Sequence, residues 1–365
     1  MKYLIKSISA IILLTILITS VPIVSSAKTY SDVSSSHWAY NAIHDVTDQG
    51  ILDTGSSQFS PNMYVTRGEA VKALYQLVHA RPVNITIPYT DVGSDYATYV
   101  KWAHSKGITH GVSETSFAPS NNVTKQDMCV LILNTYNAYN VTFTEARPYA
   151  NFGDQTSISS YATSAVKKLF RQYIVNGDNH NNFNPRSNIT RAMFAVMLHQ
   201  LYEYNYFCSV TPVKTRVGWN WCWAASAAMV GSYGVMNQPM PENEIVYEIK
   251  GIEENTNGTL AEIAAAARLA SNNTKRFVIS YSELSAGQVW SKIKRNNPII
   301  SYGEKTSSPY TNHTMVVLGY SYTDTDIYVH YCNPTYGIIQ KEVYEDFVDG
   351  SGTGYRWDET VIKET

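Results

Sequence analysis

The sequence predicts a multidomain chain, an all-α repeat region followed by a compact α+β domain. Three observations carry that reading. A Phe-x-Pro loop followed by Thr and a cation recurs three times before residue 205. Beyond about residue 275 the pattern changes from helical runs to short apolar strand runs. Between the two regions, Trp219-Asn220-Trp221-Cys222-Trp223-Ala224-Ala225-Ser226 sets a cysteine among tryptophans at the start of a run of helix formers.

The amino-terminal residues come first in the chain. Lys2 and Lys6 precede an apolar run from Ile8 to Ile18, and Ser25-Ser26-Ala27 offers small residues for cleavage. This is the layout of a secretory signal peptide over residues 1–27, with an apolar run too short for a comfortable membrane span. Loss of its two lysines takes the formal charge from −2 to −4. A mildly acidic chain without a basic block argues against nucleic acid as the main partner. No later segment reads as a membrane span, so the expected product is exported.

The repeats are visible as spacing. Phe59-Ser60-Pro61 is followed by Thr66-Arg67, Phe117-Ala118-Pro119 by Thr124-Lys125, and Phe183-Asn184-Pro185 by Thr190-Arg191. A helical pattern precedes each loop, from His37 to Ile51, Lys101 to Ile108 and Tyr161 to Val175. The threonines are helix caps: Thr66 with Glu69 forms a capping box, Thr124 with Asp127 a weaker one, and Thr190 keeps only its hydroxyl. Capping does not explain the cation that follows each one. A cation in a first helical turn opposes the dipole, so Arg67, Lys125 and Arg191 are either solvated surface charges or ligands for an anion.

Asp32-Val33 and Asp91-Val92, the Trp-Ala and Gly-Ile pairs, Phe-x-Pro and the Thr-Arg signature together resemble three tandem S-layer homology (SLH) modules over residues 30–204. The resemblance implies a helical, three-pronged bundle with modules near 28–86, 87–145 and 146–206. It also implies attachment of an exported bacterial protein to anionic, often pyruvylated, secondary cell-wall polysaccharide. Arg67, Lys125, Arg191, Trp38 and Trp102 are then the expected polysaccharide contacts. The third module departs from the pattern, with Asn151-Phe152-Gly153-Asp154 at its start, Tyr161 for Trp and Met193 for Glu.

The segment from Glu203 to Pro212 is not Gly/Ser-rich, so the second unit (207–365) is expected to sit close to the third module. Helix propensity from Ala224 to Val230, with Gly231 and Gly234 as stops, puts Cys222 at a helix start, where the dipole favours a thiolate. A buried cysteine in an aromatic cluster is the alternative. Helices are expected at Glu244–Lys250 and Thr259–Ala270, and strands at Arg276–Ser280, Pro298–Tyr302, Thr314–Tyr320 and Asp326–Tyr331. Four cysteines are too few for a disulfide scaffold. Cys129 reads as core, and a Cys208–Cys332 bridge stays open.

A nucleophilic cysteine needs a base and a group to orient that base. Beyond Cys222 the histidines are His313, which opens an apolar strand, and His330, at a mid-strand position that suits packing. Asn333 ends the next strand, within reach of His313 if the two strands are neighbours. Cys222, His313 and Asn333, with Trp-Cys-Trp-Ala-Ala, His-Thr-Met-Val-Val-Leu-Gly-Tyr and Cys-Asn-Pro-Thr-Tyr-Gly, resemble papain-like cysteine peptidases of the C39-like and AvrRpt2-type branch. The resemblance spans about residues 209–345. It implies a Cys222 helix packed on an antiparallel sheet, a Cys222–His313–Asn333 triad, a peptide or protein substrate, and neither cofactor nor metal. The Cys222 amide and Asn220 are the expected oxyanion donors, because Arg216 stands where that family usually carries a glutamine. That departure keeps two alternatives open: an impaired enzyme that only binds, and a Cys-His cell-wall hydrolase or acyl transferase.

Overall fold

The Phe-x-Pro loops turn the chain between pairs of helices. The computed structural model describes residues 28–364 apart from 142, 144, 324 and 325; residues 1–27, where a leader is expected, lie outside them. The repeat region holds α1 (Tyr40–Asp48), α2 (Arg67–Leu77), α3 (Ser94–Ser105), α4 (Lys125–Ala138), α5 (Thr163–Arg171) and α6 (Arg191–Tyr204). Thr66 and Glu69 make the full capping box, while Thr124 and Thr190 each accept the N–H of the residue three positions on.

The three repeats close on one another cyclically. The Val65 N–H donates to the Ile189 carbonyl, Ile189 to Val123, and Val123 to Val65, at 3.0, 3.0 and 2.9 Å. Each loop holds a left-handed residue that is not glycine: Ser60, Ala118 and Asn184, with φ of 57°, 57° and 56°. This conformation is unfavourable for a side chain with a Cβ. An aspartate offsets it each time by accepting two adjacent loop N–H groups. Asp32 holds Phe59 and Ser60, Asp91 holds Phe117 and Ala118, and Asp154 holds Phe183 and Asn184, all at 2.7–2.9 Å. The third module thus performs the same capping from a start that looks unlike the other two.

The second unit contains α7 (Cys222–Ser232), α8 (Glu242–Lys250), α9 (Leu260–Ala270), α10 (Ala286–Lys294) and α11 (Tyr344–Asp349). Its strands are β1 (Phe277–Ser280), β2 (Ile299–Lys305), β3 (Ser308–Tyr322), β4 (Ile327–Asn333), β5 (Ile338–Val343) and β6 (Glu359–Lys363). They form one antiparallel sheet in the order β1-β6-β2-β3-β4-β5. Helix α7 lies wholly in the core. Its small residues let α9 approach so closely that a Cβ on Gly231 would lie 2.3 Å from the Ala267 carbonyl oxygen. Gly231 is therefore a packing glycine inside the helix rather than the expected stop.

The linker crosses the sheet directly. Phe207 bridges to Gly319, where a Cβ would meet Phe207 at 2.8 Å, and the Cys208 N–H donates to the Leu318 carbonyl. The Tyr320 hydroxyl donates to the Tyr202 carbonyl at 2.9 Å, and Lys294 pairs with the Glu203 carboxylate. The second unit is thus packed on the end of α6, as the linker composition predicts. All four cysteines are free and buried, so Cys208 and Cys332 do not form a bridge. No helix among the described residues is long and apolar enough to cross a membrane.

Candidate active site

Cys222 is the first residue of α7, so its N–H has no carbonyl four residues back within the helix. Cys222 is 9% exposed as a residue, and it lines a pocket with His313 and Thr314 of β3. The strand brings His313 and Thr314 to it. His313 does not open the strand as expected, because β3 begins at Ser308; it lies on the part that extends past β4 and pairs only with Gly303 of β2. Asn333 ends β4, the neighbour of β3, and its side chain meets the imidazole: His313 Nε2 lies 2.9 Å from Asn333 Oδ1. The Thr335 backbone N–H donates to that same oxygen at 3.0 Å. The oxygen can only accept, so Nε2 carries the proton and Nδ1 is left for the thiol.

The charges in this group support one another. Burial pushes the Cys222 thiol up, but the hydrogen bond and charge of His313, with contacts from Thr314, outweigh it and hold the thiol below its ordinary range. Burial pushes His313 down, and the bond to Cys222, its charge and the bond to Asn333 outweigh that, leaving the imidazole above its ordinary value. The arrangement favours a thiolate beside an imidazolium. The Tyr355 ring tilts over His313 at 4.6 Å between centroids.

The tryptophans have a mechanical role. Trp221 and Trp223 donate their indole N–H groups to the carbonyls of Glu254 and Thr256, at 2.8 and 3.1 Å. They hold residues 254–258 beside the cysteine, and a Cβ on Gly258 would lie 2.5 Å from the Trp223 ring. Asn257, Gly258, Tyr302 and Asn312 complete the walls of a narrow pocket around Cys222 and His313. Only Gly258 and Asn257, in a polar run before a capping box, had a local signal; Tyr302 and Asn312 arrive through strand register.

Other expected site residues fall elsewhere. The Asn220 N–H donates to Asn255 Oδ1, and Asn220 does not line the pocket. Arg216 is exposed, with its guanidinium 4.5 Å from the Trp219 ring, and does not line the pocket. His330 is buried against Ser321 at 3.1 Å, and burial pulls its imidazole down to about 3.

In the repeat region each cation reaches into the next loop. Arg67 Nε donates to the Phe117 carbonyl at 2.9 Å, Arg191 donates to the Phe59 carbonyl at 3.2 Å and pairs with Glu69, and Lys125 lies 4.7 Å from the Phe183 ring while donating to the Asn176 carbonyl at 3.0 Å. Inter-repeat bonding therefore accounts for much of their recurrence. Trp102 is a correction: it is 1% exposed, its indole N–H is spent on the Tyr139 hydroxyl, and it packs rather than presents a ring. Trp38 is 66% exposed. A cleft of about 440 Å³ opens beside Glu69, Lys72, Tyr96, Tyr99 and Arg191. Among the described residues, Asp45, His199 and Glu203 have the donor spacing of a cation site, but Glu203 is committed to Lys294 and Asp45 faces His199 at 3.1 Å.

Family comparisons agree with this geometry. The S-layer homology domain family matches residues 29–71, 88–129 and 151–195, and the family described as papain-like cysteine protease AvrRpt2 matches 210–350. The chain carries three SLH repeats followed by a papain-like cysteine protease domain. Among curated proteins it is similar to an endoglucanase of Bacillus sp. (strain KSM-635), 24% identical over 58% of this chain and 24% of that protein. It is also similar to the surface-layer 125 kDa protein of Lysinibacillus sphaericus, 22% identical over 72% of this chain and 23% of that one. The chain thus spans about a quarter of the length of these relatives. A solved C39-like peptidase structure from Bacillus anthracis aligns with 42% of this chain and 94% of its own at 15% identity and a TM-score of 0.30. The SLH repeats point to a cell-surface location.

Proposed function

We propose that the chain is an exported cysteine peptidase held at a bacterial cell wall, with the SLH repeats occupying about residues 28–206 and the peptidase unit 207–365. The observation that carries the catalytic reading is the bond from His313 to Asn333 beside a helix-terminal thiol. In this mechanism the Cys222 thiolate attacks a peptide carbonyl carbon, and electrons move onto the carbonyl oxygen. The Cys222 N–H, free at the helix start, donates to that oxygen. The His313 imidazolium gives its Nδ1 proton to the leaving amine as the C–N bond breaks, leaving a thioester. Neutral His313 then takes a proton from water as the water attacks the thioester and keeps it as imidazolium, while the C–S bond breaks, the Cys222 thiolate leaves and the carboxylic acid product is released. Asn333 keeps the ring aimed throughout.

The anchoring ligand we propose is an acidic cell-wall polysaccharide. Arg191 and Lys72 in the 440 Å³ cleft would meet its acid groups, with Tyr96 and Tyr99 against sugar faces. Trp38 offers a further exposed ring. Treating residues 28–365 with a thiol-directed activity probe and a peptide library tests the enzyme. Cys222→Ala must abolish both labelling and cleavage, and cleavage that survives it overturns the assignment. A second reading, peptide binding without turnover, is favoured by one observation: Arg216 stacks on Trp219 where an oxyanion donor is expected. Tight peptide binding without a covalent adduct at Cys222 would select it.

A further inference from the structure

Helix α7 carries Cys222 at one end and runs into a second, small pocket at the other. The walls come from three places: Tyr233 just past α7, Lys275 and Phe277 at the head of β1 with Lys363 opposite on β6, and Arg295 and Asn296 in the turn between α10 and β2. The Lys275 ammonium donates to the Gly231 carbonyl at 3.2 Å and to the Tyr233 carbonyl, closing the exposed end of the helix. The Tyr233 hydroxyl donates to Asn296 Oδ1, which leaves the Asn296 amide N–H₂ as a donor without a partner among the described residues.

Among the described residues, three cations face this space and no carboxylate lines it. Among the described residues, none of Lys275, Arg295 and Lys363 forms an ion pair, whereas the adjacent Arg276 pairs with Glu364 at 3.0 Å. Lys250 and Lys294 in the same unit also have carboxylate partners. Burial above all, with repulsion from Lys363 and Arg81 adding to it, pulls the Lys275 ammonium down to about 8. The pocket holds about 220 Å³. That is below the roughly 300–1,000 Å³ of pockets for drug-sized ligands and suits a small acidic group.

We propose that this pocket is an anion-binding site for a small phosphate ester or carboxylate, held by Lys275, Arg295 and Lys363 with the Asn296 amide as a neutral donor. An occupant neutralises the cluster and keeps Lys275 charged on the end of the Cys222 helix. It would therefore stabilise the protein without touching the thiol.

The test is thermal unfolding and calorimetric titration of residues 28–365 near pH 7, at constant ionic strength, in chloride, acetate, inorganic phosphate or glycerol phosphate. Phosphate, glycerol phosphate or acetate should raise the midpoint above that in chloride, and the stronger of the two chemistries identifies the ligand class. Arg295→Gln and Lys363→Gln lie at accessible positions and keep the fold, with chloride midpoints unchanged or higher because like charges are removed. Each should weaken the preferred anion about tenfold or more, and the double variant should lose the midpoint rise. If no anion exceeds chloride, or if the double variant retains the full rise, the proposal is wrong.

Discussion

Replacing Asn333 by alanine removes the acceptor that orients His313 and leaves Cys222 untouched. The lost contact is a bond from an imidazolium N–H to a carbonyl oxygen at 2.9 Å, in a site where Asn333 is 7% exposed. A hydrogen bond to a charged group contributes about 1.5–3 kcal/mol. At about 1.4 kcal/mol per tenfold, kcat/KM should fall by about tenfold to a little over a hundredfold. Two further effects distinguish orientation from general damage. Without Asn333 the His313 pKa falls and the Cys222 thiol rises, so the pH profile of iodoacetamide alkylation at Cys222 shifts to higher pH. Asn333→Gln, which keeps an amide one methylene displaced, should recover less than Asn333→Asp, which keeps an acceptor in place. A kcat/KM within twofold of the parent, with an unmoved alkylation profile, would refute the orienting role.

The remaining predictions concern protonation and packing. Activity should follow a bell in pH, rising as the depressed Cys222 thiol ionises and falling only above the ordinary imidazole value near 6.5, because His313 is raised. A limb that falls below that value would contradict the ion pair. His330 is held neutral when folded, down to about 3, and titrates near 6.5 when unfolded. The unfolded state therefore binds more protons between those values, and stability falls by about 1.4 kcal/mol per pH unit through this group as pH drops below about 6.5. Urea unfolding at pH 7 and 5 should show that loss, reduced in His330→Gln. Gly231→Ala should lower stability by about 1–3 kcal/mol because its methyl would overlap the Ala267 carbonyl. Gly287→Ala, with nothing within 4 Å in α10, should raise it by about 0.5–1 kcal/mol.

Legibility followed the range of the interactions. Caps such as Thr66–Glu69 lie within one helical turn and were readable from spacing. That Cys222, His313 and Asn333 could meet was legible because a helix start and the end of β4 carry local signals and β3 and β4 are consecutive in the chain, although His313 lies inside β3 rather than at its start. The missed elements, α10, β5, α11 and β6, lack that clarity. Strand β6 inserts between β1 and β2, a pairing with no local trace. Gly231 was misread since a packing glycine and a stop glycine look alike until α9 is in place. The cations after each threonine read as solvated charges or anion ligands, and a bond to the next Phe-x-Pro loop was legible in neither reading because nothing in the sequence shows that its carbonyl lies within reach.

The crossing at Gly319 determines how the two units depend on each other. Strand β3 presents His313 in its first half, and toward its far end it receives Phe207, Cys208 and the Tyr202 carbonyl from the chain leaving α6. A side chain at Gly319 would strike Phe207 and the Tyr206 carbonyl together, and the strand carries its bulge between Val317 and Gly319 at this crossing. The peptidase unit cut free at residue 205 would lose the Tyr202 acceptor for the buried Tyr320 hydroxyl and the Glu203 partner of Lys294. An unpartnered buried hydroxyl costs about 1–3 kcal/mol, and the loss falls on the strand that carries the base. The end of the SLH region therefore supports the sheet behind the candidate site, and the second unit cut free at residue 205 should unfold at lower urea than the joined chain.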